Sequence, residues 1–447
     1  LQGSFAETDT PIHKPLHTHL NQAGVDTISE LVIGMFKPED VNAALGDMNP
    51  LLEQPLDFGI VLDTEVHANT IDFSSASLAL NLNQGRIGVD VRITDLHLWG
   101  RIQADLNGAP QYDEEVEAYA DLVLVNGYLT PSVSNEELKL NATEIGAHLE
   151  GFGFDVSGFP DWIEENVLTV PLQELLENVA MESVQTVVVP ELEAAFSSLA
   201  VDEAVTILEI PIEVSTKPVL AEVDHTGMDL AFDMVVSGPG EAHLSPKGPL
   251  TVPAPESSLA QNEIIGIGLH DNALNSALHE LWRAGGLDLT FSTADESLTP
   301  IVRTLLEADN VFVTLDFRLP PVLTATPEGL ILSFGELNAN LETPNGALGE
   351  TATLSLDGAM RVEPQYADGQ FTIGFEDIEA VAIVRENDWN MGTIEASTTF
   401  STRVPMSMAL SMMSDLSFPM PSLSELGLEQ VEISRSGETP ETVLSLH

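Results

Sequence analysis

The feature that most limits what this chain can fold into is a long run of two-residue alternation. From Leu56 to about Gly153, apolar and polar side chains trade places along "LDFGIVLDTEVHANTIDF", "ASLALNLNQGRIGVDVRITDLHLWGRIQADL" and "AYADLVLVNGYL". A period of two sends alternate side chains to opposite faces of a strand, so these segments read as long antiparallel strands with one buried and one wet face. Asn83-Gln84-Gly85 supplies a hairpin turn between two of them. Sheet therefore dominates the first half, and its apolar face needs a cover.

Helical periodicity on both sides of this region supplies one. In "LNQAGVDTISELVIGMF", residues 20 to 36, Val25, Ile28, Leu31, Val32, Met35 and Phe36 recur at helical spacing, with Asp26 and Thr27 as candidate caps. After the strands, "PDWIEENVLTVPLQELLENVAMESVQTVVVPELEAAFSSLAV" puts Leu172, Leu175, Leu176, Val179, Ala180 and Val187 on one stripe, interrupted by Ser183. Pro190 inside that run lacks a backbone N–H, so the spacing predicts a long helix kinked or broken there.

Residues 238–256, "GPGEAHLSPKGPLTVPAPE", are crowded with proline and glycine and read as a linker between a module at 1–237 and another at 257–447. The second half repeats the plan of the first. A helix within residues 271–284 precedes strands such as "NVFVTLDFRL", "LILSFGELNANL", "TATLSLDGAMRV" and "FTIGFEDIEAVAIV", and a short helical stretch, "VPMSMALSMMSDL", follows. Helix, sheet and helix thus occur twice, an α+β plan of two pseudo-symmetric modules. A chain of 447 residues, 43% hydrophobic, is long enough for that.

Charge narrows the partners. Against 15 Lys and Arg stand 71 Asp and Glu, a formal charge of -56, and such a field repels nucleic acid and anionic lipid headgroups. The absence of cysteine removes disulfides, thiolate metal sites and cysteine nucleophiles. The apolar runs all fall short of the roughly 18 residues of a membrane span. The first residue is Leu1 rather than Met, which fits a processed export product, and we expect a periplasmic, cell-envelope or extracellular protein.

The candidate sites for chemistry are thin. "GLHDNALNSALHELWRAGGLDL" carries His270-Asp271 and His279-Glu280. Nine positions at about 100° each put the two imidazoles on opposite sides of a helix, where they cannot share an ion. Ala273, Leu274, Ala277, Leu278, Leu281 and Trp282 form its apolar stripe, so the expectation is that the histidine–acid pairs mark the solvent side and ends. His13, His17 and His19 in "HKPLHTH" are expected in a solvated terminal segment. Acidic clusters such as "DEEVE" at 113–117 lack the ligand loop of an EF-hand. There is no G-x-S-x-G elbow and no P-loop. No catalytic residue, metal set or cofactor is assigned, and the expectation is a non-enzyme. Met406, Met408, Met412, Met413 and Met420 form a flexible apolar cluster of the kind that accommodates varied partners.

Several stretches together resemble one family. "HLNQAGVDTISELV" is similar to the first helix of the bactericidal/permeability-increasing (BPI), lipopolysaccharide-binding and cholesteryl-ester-transfer proteins. "IGIGLHDNALNSALHELWRAGGLDLTF" resembles the strand and helix that open that family's second module. "RLPPVLTATPEGLILSF" and "LSFPMPSLSELGLEQVEIS" resemble its later strand pair and its C-terminal segment. Their order spans nearly the whole chain. The resemblance implies the tubular lipid-binding (TULIP) architecture: two modules, each a highly curved antiparallel sheet around a long helix, joined by a central sheet into a boomerang.

It implies, further, a non-enzymatic lipid-binding or lipid-transfer protein with an acyl-chain tunnel in each module. Carried over by position, the first would be lined by Val25, Ile28, Val32, Met35, Leu175, Val179 and Val187. The second would be lined by Leu274, Ala277, Leu278, Leu281, Met406, Met408, Leu410 and Met413. The alternative within the same fold is an interaction or structural protein whose tunnels are filled by its own side chains. The chain departs from animal members in lacking their disulfide and their basic tip: only Lys14, Lys37, Arg86, Arg92 and Arg101 are basic in its first hundred or so residues. Phospholipid or another zwitterionic or neutral lipid, taken up in transient membrane contact, is the expected partner, rather than lipopolysaccharide held by a basic tip or nucleic acid.

Overall fold

A computed structural model describes residues 4–5, 10–57, 61–106, 109–158, 168–239, 243, 247–251, 259, 264–292, 312–326, 329–344, 351–367, 370–387, 417–419, 431–435 and 441–446. The first half runs β1 (Ser4–Phe5), β2 (Ile12–Leu20), α1 (Gln22–Met35), α2 (Pro38–Met48), β3 (Leu52–Asp57), β4 (Val61–Asp72), β5 (Ser75–Asn83), β6 (Arg86–Leu106), β7 (Ala109–Ser134), β8 (Glu137–Glu150) and β9 (Gly153–Val156). It continues with α3 (Thr169–Ser183), a π turn (Val184–Val188), α4 (Val189–Ser197), β10 (Asp202–Ile207), β11 (Ile210–Val223) and β12 (Met228–Ser237). The second half holds β13 (Leu250–Thr251), β14 (Ile265–His270), α5 (Asp271–Arg283), β15 (Leu289–Ser292), β16 (Phe312–Phe317), β17 (Val322–Thr326) and β18 (Gly329–Glu342). It ends with β19 (Thr351–Ala367), β20 (Gln370–Asn387), β21 (Ser417–Pro419), β22 (Val431–Arg435) and β23 (Glu441–Leu446).

The described strands form three seven-stranded sheets and one two-stranded pair, β1 with β13. One sheet runs β3-β4-β6-β7-β8, with β5 and β9 added on β6 and β7; another runs β15-β16-β18-β19-β20-β21, with β17 on β18. Both are curled antiparallel half-barrels. Curling strands of this length takes irregularities: the β6/β7 and β7/β8 ladders slip register, and Asp95 and Glu144 stand at positive φ. The predicted hairpin is present, with Gly85 at φ +74 where a side chain would be strained.

The third sheet, β10-β11-β12-β2-β14-β23-β22, draws on both ends of the chain. Its two middle strands open the duplicated units: β2 runs into α1 and β14 into α5, each through a polar cap. The Gly24 N–H donates to Asn21 Oδ1 (3.1 Å) and the Asn272 N–H to His270 Nδ1 (3.1 Å). Asn21 therefore caps α1, and the expectation of Asp26 or Thr27 is corrected. Both lie inside the helix, where the Thr27 hydroxyl bonds back to Ala23 O (2.9 Å). The histidines of "HKPLHTH" are corrected too: they sit in a strand flanked by β12 and β14, and His19 is buried with Nδ1 2.8 Å from Asp229. Only His13 matches a solvated reading, with a side chain 72% exposed.

The chain divides into two compact units, one of Leu1–Thr18, Ala200–Val219 and Ala231–His447, the other of His19–Leu199 and Leu220–Leu230. Within the Pro/Gly-rich stretch at 238–256, β13 is an ordered strand. No described helix is long and apolar enough to cross a membrane.

Candidate functional site

In the unit of His19–Leu199, the helices lie on the apolar face of the curled sheet. Helix α1 packs on β5 and on α4, and α3 packs on β7, β8 and β9. Val25, Ile28 and Val32 point inward and are buried, as are Leu175 and Val179 on α3. Met35, one turn past Val32, is instead 44% exposed. Val187 is half-exposed, and Val184 and Val188 are buried in its place. The cause is the π turn, which accommodates one extra residue and advances the apolar stripe by one position. The predicted break at Pro190 takes this form. Pro190 stands in the first turn of α4, where its missing N–H costs nothing, and the adjacent Val189 N–H reaches back five residues to Val184 O.

Ser183 lies inside the stripe and is satisfied locally, its hydroxyl donating to Val179 O (2.7 Å). The apolar face of α3 thus continues past it without an unpaired polar group.

A cavity of about 420 Å³ in the same unit is of another kind. Gln84, Gly85, Glu222, Asp224 and Asp229 contribute to its wall. Hydrogen bonds from the Thr226 hydroxyl and N–H hold the Asp224 carboxyl below its usual range. This acidic wall suits neutral or cationic groups and rejects anions.

In the other unit, α5 packs against β13, β14 and β17. Leu274, Ala277, Leu278 and Leu281 are buried. The expectation that the histidine–acid pairs face solvent is overturned: His270, Asp271, Asn272, Asn275, Ser276, His279 and Glu280 are buried as well. Several of their polar groups find partners inside, whereas His270 Nε2 and Ser276 Oγ have no hydrogen-bond partner among the described residues. Asn275 bridges the Leu323 backbone in both directions, accepting from its N–H (2.7 Å) and donating to its carbonyl (2.9 Å). His279 places Nδ1 3.3 Å from Glu280 Oε1 and Nε2 3.2 Å from Lys247 O, and Arg283 Nε donates to Glu280 Oε2 (2.9 Å).

Burial alone would raise Glu280, but the hydrogen bonds and charges of His279 and Arg283 outweigh it and hold the carboxyl below its usual range. Burial pushes His270 down to about 4, with a further push from His17. His270 is therefore neutral near pH 7, as its role as a hydrogen-bond acceptor at the helix cap requires. Met406, Met408, Leu410 and Met413 lie outside the described residues.

Two arginines of the first module lie beside carboxylates. Arg86 lies 3.8 Å from Glu144 with its guanidinium over Tyr128, and Arg101 lies 2.9 Å from Asp113. The arrangement thus offers apolar helix faces inside curled sheets and an acidic cavity, one wall residue of which, Asp229, lies 2.8 Å from His19 Nδ1.

No family model matches the sequence, and no curated protein matches it either. Solved structures do match. Lipopolysaccharide binding protein aligns over 97% of this chain and 99% of its own at 15% identity, with a TM-score of 0.50. P47 from Clostridium botulinum A2 aligns over 97% of each chain at 9% identity and a TM-score of 0.32. Latherin covers 40% of this chain and 84% of its own at 16% identity and a TM-score of 0.25. The chain has the BPI/LBP-like tubular fold that its helix-opening and strand motifs resemble.

Proposed function

We propose that this protein is a non-enzymatic lipid carrier that holds acyl chains between the helices and the curled sheet of each module. The observation that carries this reading is the end-to-end likeness in fold to lipopolysaccharide binding protein. The packing is compatible with it: Val25, Ile28, Val32, Leu175 and Val179 on one side, and Leu274, Ala277, Leu278 and Leu281 on the other, are apolar side chains turned into the interior. Transfer of one methylene from water to such a lining gains roughly 0.8 kcal/mol, which offsets what the same methylene loses on leaving a bilayer.

The cargo is a phospholipid or another zwitterionic or neutral lipid, collected in transient membrane contact by an exported protein of the envelope or extracellular space. The -56 charge and the acidic cavity wall argue against an anionic headgroup.

Organic extraction of the purified protein followed by mass spectrometry, together with uptake of a fluorescent phosphatidylcholine, tests the proposal. Bound lipid and saturable uptake are expected. Leu278→Trp fills the second lining and is expected to lower the lipid stoichiometry by about half while the first module still loads. An empty extract with no uptake would overturn the carrier reading in favour of a scaffold whose interior is filled by its own side chains.

A further inference from the structure

One side-chain cluster, remote in sequence, is unused by lipid binding. His243, Asp288 and Asp316 bring one nitrogen and two carboxylate oxygens within 4.8 Å of one another. Each stands on anchored backbone: the His243 N–H donates to Arg283 O (3.0 Å), and the Asp288 N–H donates to Gly285 O (3.1 Å). Asp316 belongs to β16 and Asp288 directly precedes β15, so both adjoin the Leu289–Leu315 pair at which their ladder ends.

Two carboxylates held this close repel each other unless a cation lies between them. Asp316 Oδ1 is moreover buried, with no hydrogen-bond partner among the described residues. Arg318 reaches only the other oxygen, at 3.4 Å, from a side chain that is 59% exposed. The imidazole is held in place as well. It stacks on Trp282 at 5.1 Å and 11°, and the Trp282 indole N–H donates to Phe317 O, next to Asp316. His243 Nε2 is aimed at Asp288 Oδ2, 2.8 Å away.

We propose that His243, Asp288 and Asp316 form a binding site for a zinc-class divalent cation. One imidazole and two carboxylates suit zinc, whose bonds to such ligands are about 2.0–2.2 Å, and three protein ligands leave a coordination position for water. A calcium ion of this charge would need about six to eight oxygens, which these three residues do not supply. Zinc takes the Nε2 lone pair of the neutral imidazole, whose single ring proton then sits on Nδ1, and Asp288 binds the ion as a carboxylate. The ion ties the segment that follows β12 to the end of the β15/β16 ladder beside Leu289 and Leu315.

The test uses the full chain and zinc alone as the probe. Because the acidic surface binds divalent ions loosely, zinc is titrated calorimetrically with calcium and magnesium in excess, and retained metal is counted after gel filtration. The expected result is one tightly held zinc per chain, weakened by about tenfold or more in His243→Ala and Asp316→Asn. His67→Ala, which removes an exposed histidine beside Glu65, leaves it unchanged. X-ray absorption of the zinc-loaded protein is expected to show one imidazole, with oxygen for the remaining ligands.

Failure of the unaltered protein to retain zinc would overturn the site whatever the variants do. So would a spectrum with two or more imidazoles, which would place the ion among the histidines of β2.

Discussion

At the scale of single residues, the polar letters of α5 carry the lesson. Asn275 and His279 look like a solvent face because a sequence shows only the spacing along one helix, and by spacing they stand opposite the apolar stripe or at its margin. Their partners come from elsewhere. The Leu323 backbone that Asn275 bridges is 48 residues away, and the Lys247 carbonyl beside His279 is 32 away. Asn42 and Asn49 do the same for Ile71 and Ala68, each closing a strand edge with a side-chain amide.

His270 makes the burial measurable. Its pKa is about 4 in the fold against 6.5 ordinarily, so as pH falls the unfolded chain takes up a proton first. The stability it contributes is complete above pH 6.5, is lost as pH falls from 6.5 towards 4, and changes no further below that. The loss is at most about 3 kcal/mol. His270→Asn keeps a capping side chain and does not titrate. Urea unfolding across that window is expected to give a flatter pH dependence than in the parent, and parallel curves would refute the assignment.

At the scale of elements, the strands and the amphipathic helices were legible because their periods are local. The alternation from Leu56 announces β4 to β8, and Val25, Ile28 and Val32 announce the buried face of α1. Helix α2 left little trace. It is a short helix, Pro38–Met48, whose tie to the sheet is the contact of Asn42 with Ile71 rather than a long apolar stripe. The π turn was invisible for a different reason: the helical pattern assumes 3.6 residues per turn, and one inserted residue carries the stripe from Val187 to Val188. The two valines therefore separate by a measurable amount. Val188→Ala is expected to cost about 2 kcal/mol in chemical denaturation, and Val187→Ala under about 1 kcal/mol. Equal costs would mean that the stripe runs unshifted through the turn.

At the scale of the whole molecule, the recurrence of a helix followed by a curled sheet could be read from order alone, whereas the third sheet could not; the helix expected in "VPMSMALSMMSDL" lies outside the described residues. Its strands β2, β14 and β23 begin at residues 12, 265 and 441, and no local pattern states such a pairing. The zinc site is illegible for the same reason, since His243, Asp288 and Asp316 share no motif.

Charge, by contrast, is a property of the entire chain and would set how the proposed carrier meets a membrane. At -56, with the Arg86 and Arg101 charges already beside carboxylates, the protein is repelled by an anionic bilayer before any apolar contact forms. That repulsion reaches about 30 Å in 0.01 M salt and about 3 Å in 1 M salt. Pickup of a fluorescent phospholipid from vesicles containing phosphatidylglycerol is therefore expected to be several-fold slower than from pure phosphatidylcholine at low salt. The two rates should converge as salt rises. Stopped-flow measurement of the initial rates decides: equal rates at low salt would show that the field does not select the donor membrane, and a gap that persists in high salt would move the selectivity from the field to the pocket itself.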